Sequence, residues 1–267
     1  MEKYKEIERS IIKKYRKEIW AKFIKAIKEF DMIKENDKIA VCISGGKDSF
    51  LMAKCLEELL RHGKFKYELE FIVMDPGYNK ENIEKIKENL KIMNINAHIF
   101  STPIFKVAET SESPCYLCAK MRRGYLYDYA KRLGCNKIAL GHHYDDVIET
   151  VMLNMLFNGQ FSSMMPKLHS DHFEDIELIR PLYFIREKDI KSFVKYNELE
   201  FIDCACSVTK KDIGKRKVVK DLITDLKEVY KDADKCIFTS TCNVNLNTMI
   251  AYKKDGEKHH FLDDYDK

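Results

Sequence analysis

Apolar residues recur at helical spacing from the first turns of the chain. Ile7, Ile11, Tyr15, Ile19, Phe23, Ile27 and Phe30 fall on one face, with lysines and glutamates on the others. This spacing predicts an amphipathic helix or two over residues 3 to 30, with a face that must dock on something. The pattern then changes. The continuous run Ile39-Ala40-Val41-Cys42-Ile43 reads as a buried strand, and Phe50-Leu51-Met52-Ala53 beyond it reads as helix. Further on come a strand at 67 to 74, a turn at Asp75-Pro76-Gly77, a helix near 79 to 92 and a short strand near 97 to 100. A helix near 114 to 133, a strand at 137 to 140 and a helix near 144 to 157 continue the series. This βαβαβ order predicts an α/β fold in which a parallel sheet is covered by helices on both faces. Ligands of such sheets bind at the C-terminal ends of the strands. The expected division is a helical segment at 1–35, the α/β domain at 36–205 and a helical C-terminal extension at 206–267.

Composition changes this picture in two places. No run of about 18 apolar residues is present, so no membrane span is expected, and the charged N-terminus is unlike a signal peptide, so the expected location is cytoplasmic. The chain has nine cysteines, which in such a location points away from disulfides and toward metal or redox chemistry. Cys42 and Cys55 lie at apolar positions of a strand and a helix and are expected to pack, as are Cys135, Cys236 and Cys242. A net charge of +4 decides nothing about nucleic acid, so that question turns on where the basic residues cluster.

Three motifs fall at predicted strand ends or helix starts. Ser44-Gly45-Gly46-Lys47-Asp48-Ser49 follows the first strand and opens a helix, an order that brings backbone N–H groups and a helix N-terminus to one anion, which a phosphate chain fits. The spacing is not the G-x-x-x-x-G-K-[ST] pattern, because the upstream glycine is absent. Cys115-Tyr116-Leu117-Cys118 can bring two thiolates to one metal or cluster, and Cys204-Ala205-Cys206 supplies further thiols at a spacing poor for tetrahedral zinc. An iron–sulfur cluster, a structural zinc and catalytic thiols all remain open at this point. Gly141-His142-His143-Tyr144-Asp145-Asp146 places a glycine, histidines and acids at a helix start, a set able to bind Mg2+ or move a proton. Of its acids, Asp145 reads as a helix cap and Asp146 as the candidate for chemistry.

The loop resembles the SGGxDS loop of the PP-loop ATP pyrophosphatases, which break ATP between the alpha and beta phosphates and attach AMP to their substrate. The ordered set of SGGKDS, Cys115-x-x-Cys118 with Arg122-Arg123-Gly124, GHHxDDxxET, Met165-Pro166-Lys167-Leu168, Arg180-Pro181-Leu182, Arg186-Glu187-Lys188-Asp189-Ile190 and Cys204 resembles the tRNA 2-thiocytidine synthetase family, from about residue 20 to 225. The resemblance implies an adenine nucleotide alpha hydrolase fold, and an ATP-dependent tRNA sulfurtransferase that replaces the 2-oxo group of an anticodon-loop cytidine, expected at position 32. It implies ATP with Mg2+ at Ser44, Gly45, Gly46, Lys47, Asp48, Ser49, Asp75, Gly141 and His142. It further implies a 4Fe-4S cluster on Cys115, Cys118 and Cys204, reacting-base contacts from Arg122 and Asp146, a homodimer, and a sulfur donor that is a cysteine desulfurase or free sulfide. The family commonly shows P-C-x-x-C-G where this chain has Asp203-Cys204-Ala205-Cys206-Ser207, so Cys206 stays open as an alternative third ligand.

Two basic sets could follow a tRNA backbone: Lys13, Lys14, Arg16, Lys17, Lys22 and Lys25, and Lys210, Lys211, Lys215, Arg216, Lys217 and Lys220. A solvated helix face explains either set as well. Tyr78, Tyr116 and His143 are candidates to stack on a splayed-out base. Alternatives to this reading are thiolation of another tRNA base, a tRNA lysidine synthetase-like ligase, against which Cys115 and Cys118 argue, and a non-catalytic iron–sulfur nucleotide sensor, against which Asp48, Ser49 and Asp146 argue.

Overall fold

The computed structural model describes residues 2–63, 66–111, 114–170, 173, 175–202, 209–263 and 265; within these, nothing is said of the side chains of 109, 114, 115 and 209–213. Helices α1 (Lys3–Arg9) and α2 (Ala21–Glu29) are joined by two π-helical turns, Ser10–Lys14 and Arg16–Trp20. Next come β1 (Lys38–Ile43), α3 (Lys47–His62), β2 (Glu68–Asp75), α4 (Lys80–Ile92), β3 (Ala97–Ser101), α5 (Ile104–Glu109) and α6 (Pro114–Arg132). The domain is completed by β4 (Lys137–Ala139), α7 (Tyr144–Asn158), β5 (Lys167–His169), β6 (Glu177–Ile179) and α8 (Glu187–Tyr196). The C-terminal part holds α9 (Thr209–Val229), α10 (Ala233–Ser240) and the antiparallel hairpin β7 (Ala251–Lys254) and β8 (Glu257–His260).

One six-stranded sheet runs in the order β3-β2-β1-β4-β6-β5, parallel throughout except for β5. β1 sits inside the sheet and is buried from Ile39 to Ile43, as its unbroken apolar run requires. The N-terminal helices dock on the domain: Ile7, Ile11, Ile19 and Phe23 are fully buried in one core with Ile39, Val41, Phe50, Leu51 and Phe193. The Tyr15 hydroxyl donates to the Ser192 carbonyl at 2.8 Å, which fixes the π-helical segment to α8. α10 is pinned to the start of α8 by the Arg186–Asp234 ion pair at 2.7 Å and to α7 by the stacked rings of Tyr144 and Phe238 at 4.5 Å.

Cys42, Cys55 and Cys135 are buried as expected, but Cys236 and Cys242 are exposed and do not serve as packing residues. Cys236 lies on the outer side of α10, whose Ile237 and Phe238 pack inward against α7 and α9, and Cys242 lies in the turn after α10. After α10 the helical extension also carries the β7–β8 hairpin, followed by a 3-10 turn at Phe261–Asp263. Among the described residues no helix is long and apolar enough to cross a membrane.

Candidate functional site at the C-terminal edge of the sheet

The loop between β1 and α3 is shaped by two glycines. Gly45 has φ +90°, a backbone region that favours glycine, and a Cβ there would lie 2.6 Å from Ile202 Cδ1 and 2.8 Å from Ile86 Cδ1. Gly141, just past β4, faces the same loop, and its added Cβ would lie 3.0 Å from the Ser49 nitrogen and 3.1 Å from the Asp48 carbonyl carbon. Only glycine allows the β4 end to approach the start of α3 so closely. Ser49 holds the turn from within: its hydroxyl donates to the Gly46 carbonyl at 2.8 Å and accepts from the Ser44 nitrogen at 3.2 Å. Gly46 is the residue before α3 and offers no side-chain cap, so the first N–H groups of that helix have no side chain set over them. A hollow bounded by backbone N–H groups and the positive end of a sixteen-residue helix fits a phosphate chain.

Charged groups surround this hollow. Lys47 Nζ lies 3.2 Å from Asp48 and 3.4 Å from Glu187. Asp48 Oδ1 is buried with no hydrogen-bond partner, and burial raises the pKa of its carboxyl. His143 Nε2 stands 3.9 Å from that same oxygen. Glu187 also binds Lys191 at 3.1 Å and Lys220 at 2.8 Å. Its burial works to raise the pKa, but the hydrogen bonds from Lys220 and Lys191 overcome that and pull it down to about 2. A carboxylate shared by three lysines holds them beside the hollow, where an incoming phosphate can compete for them. Asp75, at the end of β2, accepts from the Gly77 and Tyr78 nitrogens at 2.9 and 2.7 Å, and the Tyr78 hydroxyl donates to the Ser44 carbonyl at 3.2 Å.

The acids of the GHHYDD segment divide their work differently from the expectation. His143 is the N-cap of α7, and its ring nitrogen accepts from the Asp146 nitrogen at 3.4 Å while the Asp146 carboxylate accepts from the His143 nitrogen at 3.0 Å. Asp145 caps no part of its own helix; its carboxylate accepts from the Glu187 nitrogen at 2.7 Å and so supports the start of α8. Asp146 also meets Arg216 at 2.6 Å, and Glu149 meets Arg216 at 2.9 Å. His143, buried and committed to this cap, is not free to stack on a base. Burial pushes His142 down to about 4, with the nearby Arg180 charge adding to the effect, so its ring is neutral at pH 7.

The cysteine helix α6 approaches the same edge. Cys118 is buried and packs with Met74 of β2, Ile104 and Ala108. The Arg122 guanidinium lies 5.4 Å from the centre of the Phe105 ring, which meets the Tyr78 ring edge-on at 5.8 Å, and Tyr78 reaches the phosphate hollow through Ser44. A chain of direct contacts therefore links α6 to the loop. The side chain of Cys115 and all of Cys204 and Cys206 lie outside the described residues. Ile202, the described residue just before the gap at 203–208, packs against Gly45. Among the described residues no three His, Cys, Asp or Glu side chains are grouped to hold a metal ion.

Of the downstream basic set, Arg216 and Lys220 are turned onto the acids of α7 and α8. In the N-terminal set, Lys22 pairs with Asp189 at 3.1 Å and Lys14 lies 4.0 Å over the Tyr196 ring. Tyr116 is 68 % exposed. The residues that sequence reasoning did not single out are Glu187 as the common partner of three lysines, Arg216 as the partner of Asp146, and Arg180. A cavity of about 820 Å3 lies elsewhere, lined by Phe161, Met165 and residues of the C-terminal hairpin, and holds none of the charged groups of this site.

Comparison with known proteins agrees with this geometry. The model of the PP-loop domain matches residues 16–220. A tRNA-cytidine(32) 2-sulfurtransferase of Citrifermentans bemidjiense is 38 % identical over 225 residues, covering 83 % of this chain and 88 % of the relative. The protein of that name from Shewanella baltica is 35 % identical over 244 residues, covering 89 % and 76 %. Among solved structures, the U34-tRNA thiolase NcsA from Methanococcus maripaludis, determined with its 4Fe-4S cluster, superposes with a TM-score of 0.66 at 24 % identity, covering 83 % of this chain and 76 % of that one. That likeness concerns the fold.

Proposed function

The chain belongs to the PP-loop domain family and, within it, to the tRNA-cytidine 2-sulfurtransferases, and on that premise we propose that it uses ATP to activate the 2-oxo group of an anticodon-loop cytidine, at position 32, and exchanges that oxygen for sulfur. Thiolation of tRNA is the chemistry that the relatives' names carry. The observation that carries the finer reading is the meeting of two motifs: Gly141 lets the GHHYDD segment close onto the first turn of the SGGKDS helix. The acids and neutral imidazole of one segment thus lie beside the loop that would hold the phosphates, which supports adenylation of a base oxygen.

Cytidine O2 would attack the alpha phosphorus of ATP, and pyrophosphate would leave. AMP is then the leaving group at C2 when sulfide attacks, so each thiolated base accounts for one AMP and one pyrophosphate. The loop N–H groups and Lys47 neutralise the phosphates as charge builds on the departing pyrophosphate. Asp48 Oδ1, the buried acceptor without a partner, is placed for a cation that arrives with the phosphates, Mg2+ being the natural one. Asp146 holds His143 and Arg216 in place and keeps lone pairs for a proton at the base, and α6 contributes Arg122.

The thiols of Cys115, Cys118 and Cys204 are soft ligands that fit a 4Fe-4S cluster. When bound by three cysteines, such a cluster supplies one iron with an open position for sulfide. Supporting this are the burial of Cys118 next to the end of β2 and the contact of Ile202, two residues before Cys204, with Gly45. The reading includes a homodimer, a sulfur donor that is free sulfide or a cysteine desulfurase, and a C-terminal extension from 206 appended to the PP-loop domain. The test is anaerobic purification with metal analysis, followed by nucleoside mass spectrometry of tRNA treated with ATP and sulfide. About four irons per chain and a 2-thiocytidine product are expected; stoichiometric zinc with no iron, or tRNA returned unmodified, would refute it.

A further inference from the structure

Three arginines of the described residues are partly buried: Arg122, Arg180 and Arg186. Arg186 pairs with Asp234 at 2.7 Å. Among the described residues, Arg122 and Arg180 have no carboxylate partner, and the Nε atom of each is buried without a hydrogen bond. His142 Nδ1 is in the same condition. A buried guanidinium donor left unpaired is costly, and such a group is retained where something else completes it.

Sheet order explains how these groups meet. Arg180 directly follows β6, the neighbour of β4, and the Leu140 nitrogen donates to the Ile179 carbonyl at 3.0 Å. Arg180 and His142 therefore stand side by side, on the flank of the phosphate loop away from β2. Each feels the charge of Asp146, and Arg180 also feels Arg123 and Tyr127 of the cysteine helix. Among the described residues, the Arg180 side chain makes one hydrogen bond, from Nη1 to the carbonyl of Met165, which lies in an irregular segment and is 58 % exposed. Arg180 thus occupies the space between the GHHYDD segment and α6, where a base activated at one and thiolated beside the other has to lie.

We propose that Arg180, with His142 beside it, is a donor seat for an acceptor oxygen of the nucleotide being modified, and that Arg180 is a substrate-contacting residue of the thiolation reaction. This rests on the thiolation reading above. The neutral state of His142 leaves Arg180 as the cation of the pair and its Nε–H as the directed donor. The oxygen belongs either to the base, as O2, or to the phosphate of the same nucleotide. Without tRNA, the phosphates of ATP are expected at the loop after β1, with β4 between that loop and Arg180, so Arg180 is not expected to contribute to ATP affinity.

The test compares the full-length, anaerobically prepared protein with Arg180→Gln and Arg180→Lys. Four quantities are read: single-turnover thiolation at saturating tRNA, Kd for ATP without tRNA, Kd for tRNA, and the thermal midpoint. Thiolation should fall about 100-fold in Arg180→Gln, the loss typical of removing one aimed donor. Kd for ATP should stay within about 3-fold, and Arg180→Lys should restore less than about a tenth of the rate, since a lone ammonium does not replace the guanidinium fork. Arg180→Lys carries the comparison if Arg180→Gln does not fold. A second arm uses tRNA transcripts with the target cytidine intact or abasic. If the base oxygen is seated, Arg180→Gln weakens only the intact tRNA; if the phosphate is seated, it weakens both alike. Thiolation and tRNA affinity both within about 3-fold of wild type, or loss of ATP affinity in step with thiolation, would overturn the seat. Should the wild type bind tRNA without thiolating it, the binding arm still judges the seat while the reaction assignment fails.

Discussion

Two sides of one sheet edge differ in how completely they satisfy themselves. Around β1 and β4, toward α7 and α8, nearly every charge is matched: Lys47, Lys191 and Lys220 share Glu187, and Asp146 and Glu149 share Arg216. On α6 and at the end of β6, Arg122 and Arg180 have, among the described residues, no acid partner and buried Nε atoms with no acceptor. On the proposed reading, the first region is preorganised around a ligand whose shape never changes, a triphosphate. The second would then leave donors for a ligand that arrives as part of a large, variable RNA. Asp48 Oδ1 is the exception in the first region, an acceptor waiting for a donor or cation.

The largest effect should come from breaking that exception. Asp48→Ala is expected to lower tRNA-dependent pyrophosphate release at least about 1000-fold while leaving the cluster absorbance intact, because it removes the phosphate side alone. Unchanged release would take Asp48 out of the site. Cysteine substitutions test the other side. Cys204→Ala should lose both cluster absorbance and thiolation, and Cys206→Ala should keep the cluster and part of the activity. The reverse pattern would make Cys206 the ligand, and equal loss from both would leave no open iron. A smaller effect is expected from Gly45→Ala. The positive φ and the 2.6 Å approach to Ile202 predict a destabilisation of about 1–3 kcal/mol with a weakened ATP Kd. A midpoint and Kd equal to wild type would show that the loop is not so tightly held.

The gentlest probe is pH. Burial, aided by Arg180, lowers the folded-state pKa of His142 from 6.5 to about 4. Between those values the unfolded chain takes up a proton on His142 and the folded chain does not, so stability falls as pH drops from 6.5 toward 4. His142→Gln removes this dependence. Its pH–stability curve, measured by denaturant unfolding at pH 7.5 and 4.5, should be flatter than wild type by up to about 3 kcal/mol. Parallel curves would mean that the imidazole is not held neutral.

Much of the phosphate side was legible in the residues. Strands such as Lys38–Ile43 and Lys137–Ala139 are short apolar runs closed by glycine, and their ends lie within a residue or so of where the pattern put them. β5 and β6 were not legible, because three residues each are too few to show a period. The hairpin at 251–260 is built of Lys, Glu and His positions that carry no apolar alternation. Asp145 looked like a cap of its own helix because the residue type suits one, yet His143 holds that position and Asp145 serves α8, a partner distant in sequence. Arg180 could not be singled out as a neighbour of His142 before the order β1-β4-β6 was known, since only that order sets the two side by side.

The central claim is that the phosphate loop activates an RNA oxygen by adenylation and that sulfur then displaces AMP. The most direct measurement is to count products in one anaerobic reaction of the wild-type protein with tRNA, ATP and sulfide. The account predicts one AMP and one pyrophosphate for each 2-thiocytidine formed, with no pyrophosphate when the tRNA is omitted. Formation of ADP and phosphate in step with thiolation, or thiolation without nucleotide cleavage, would contradict it.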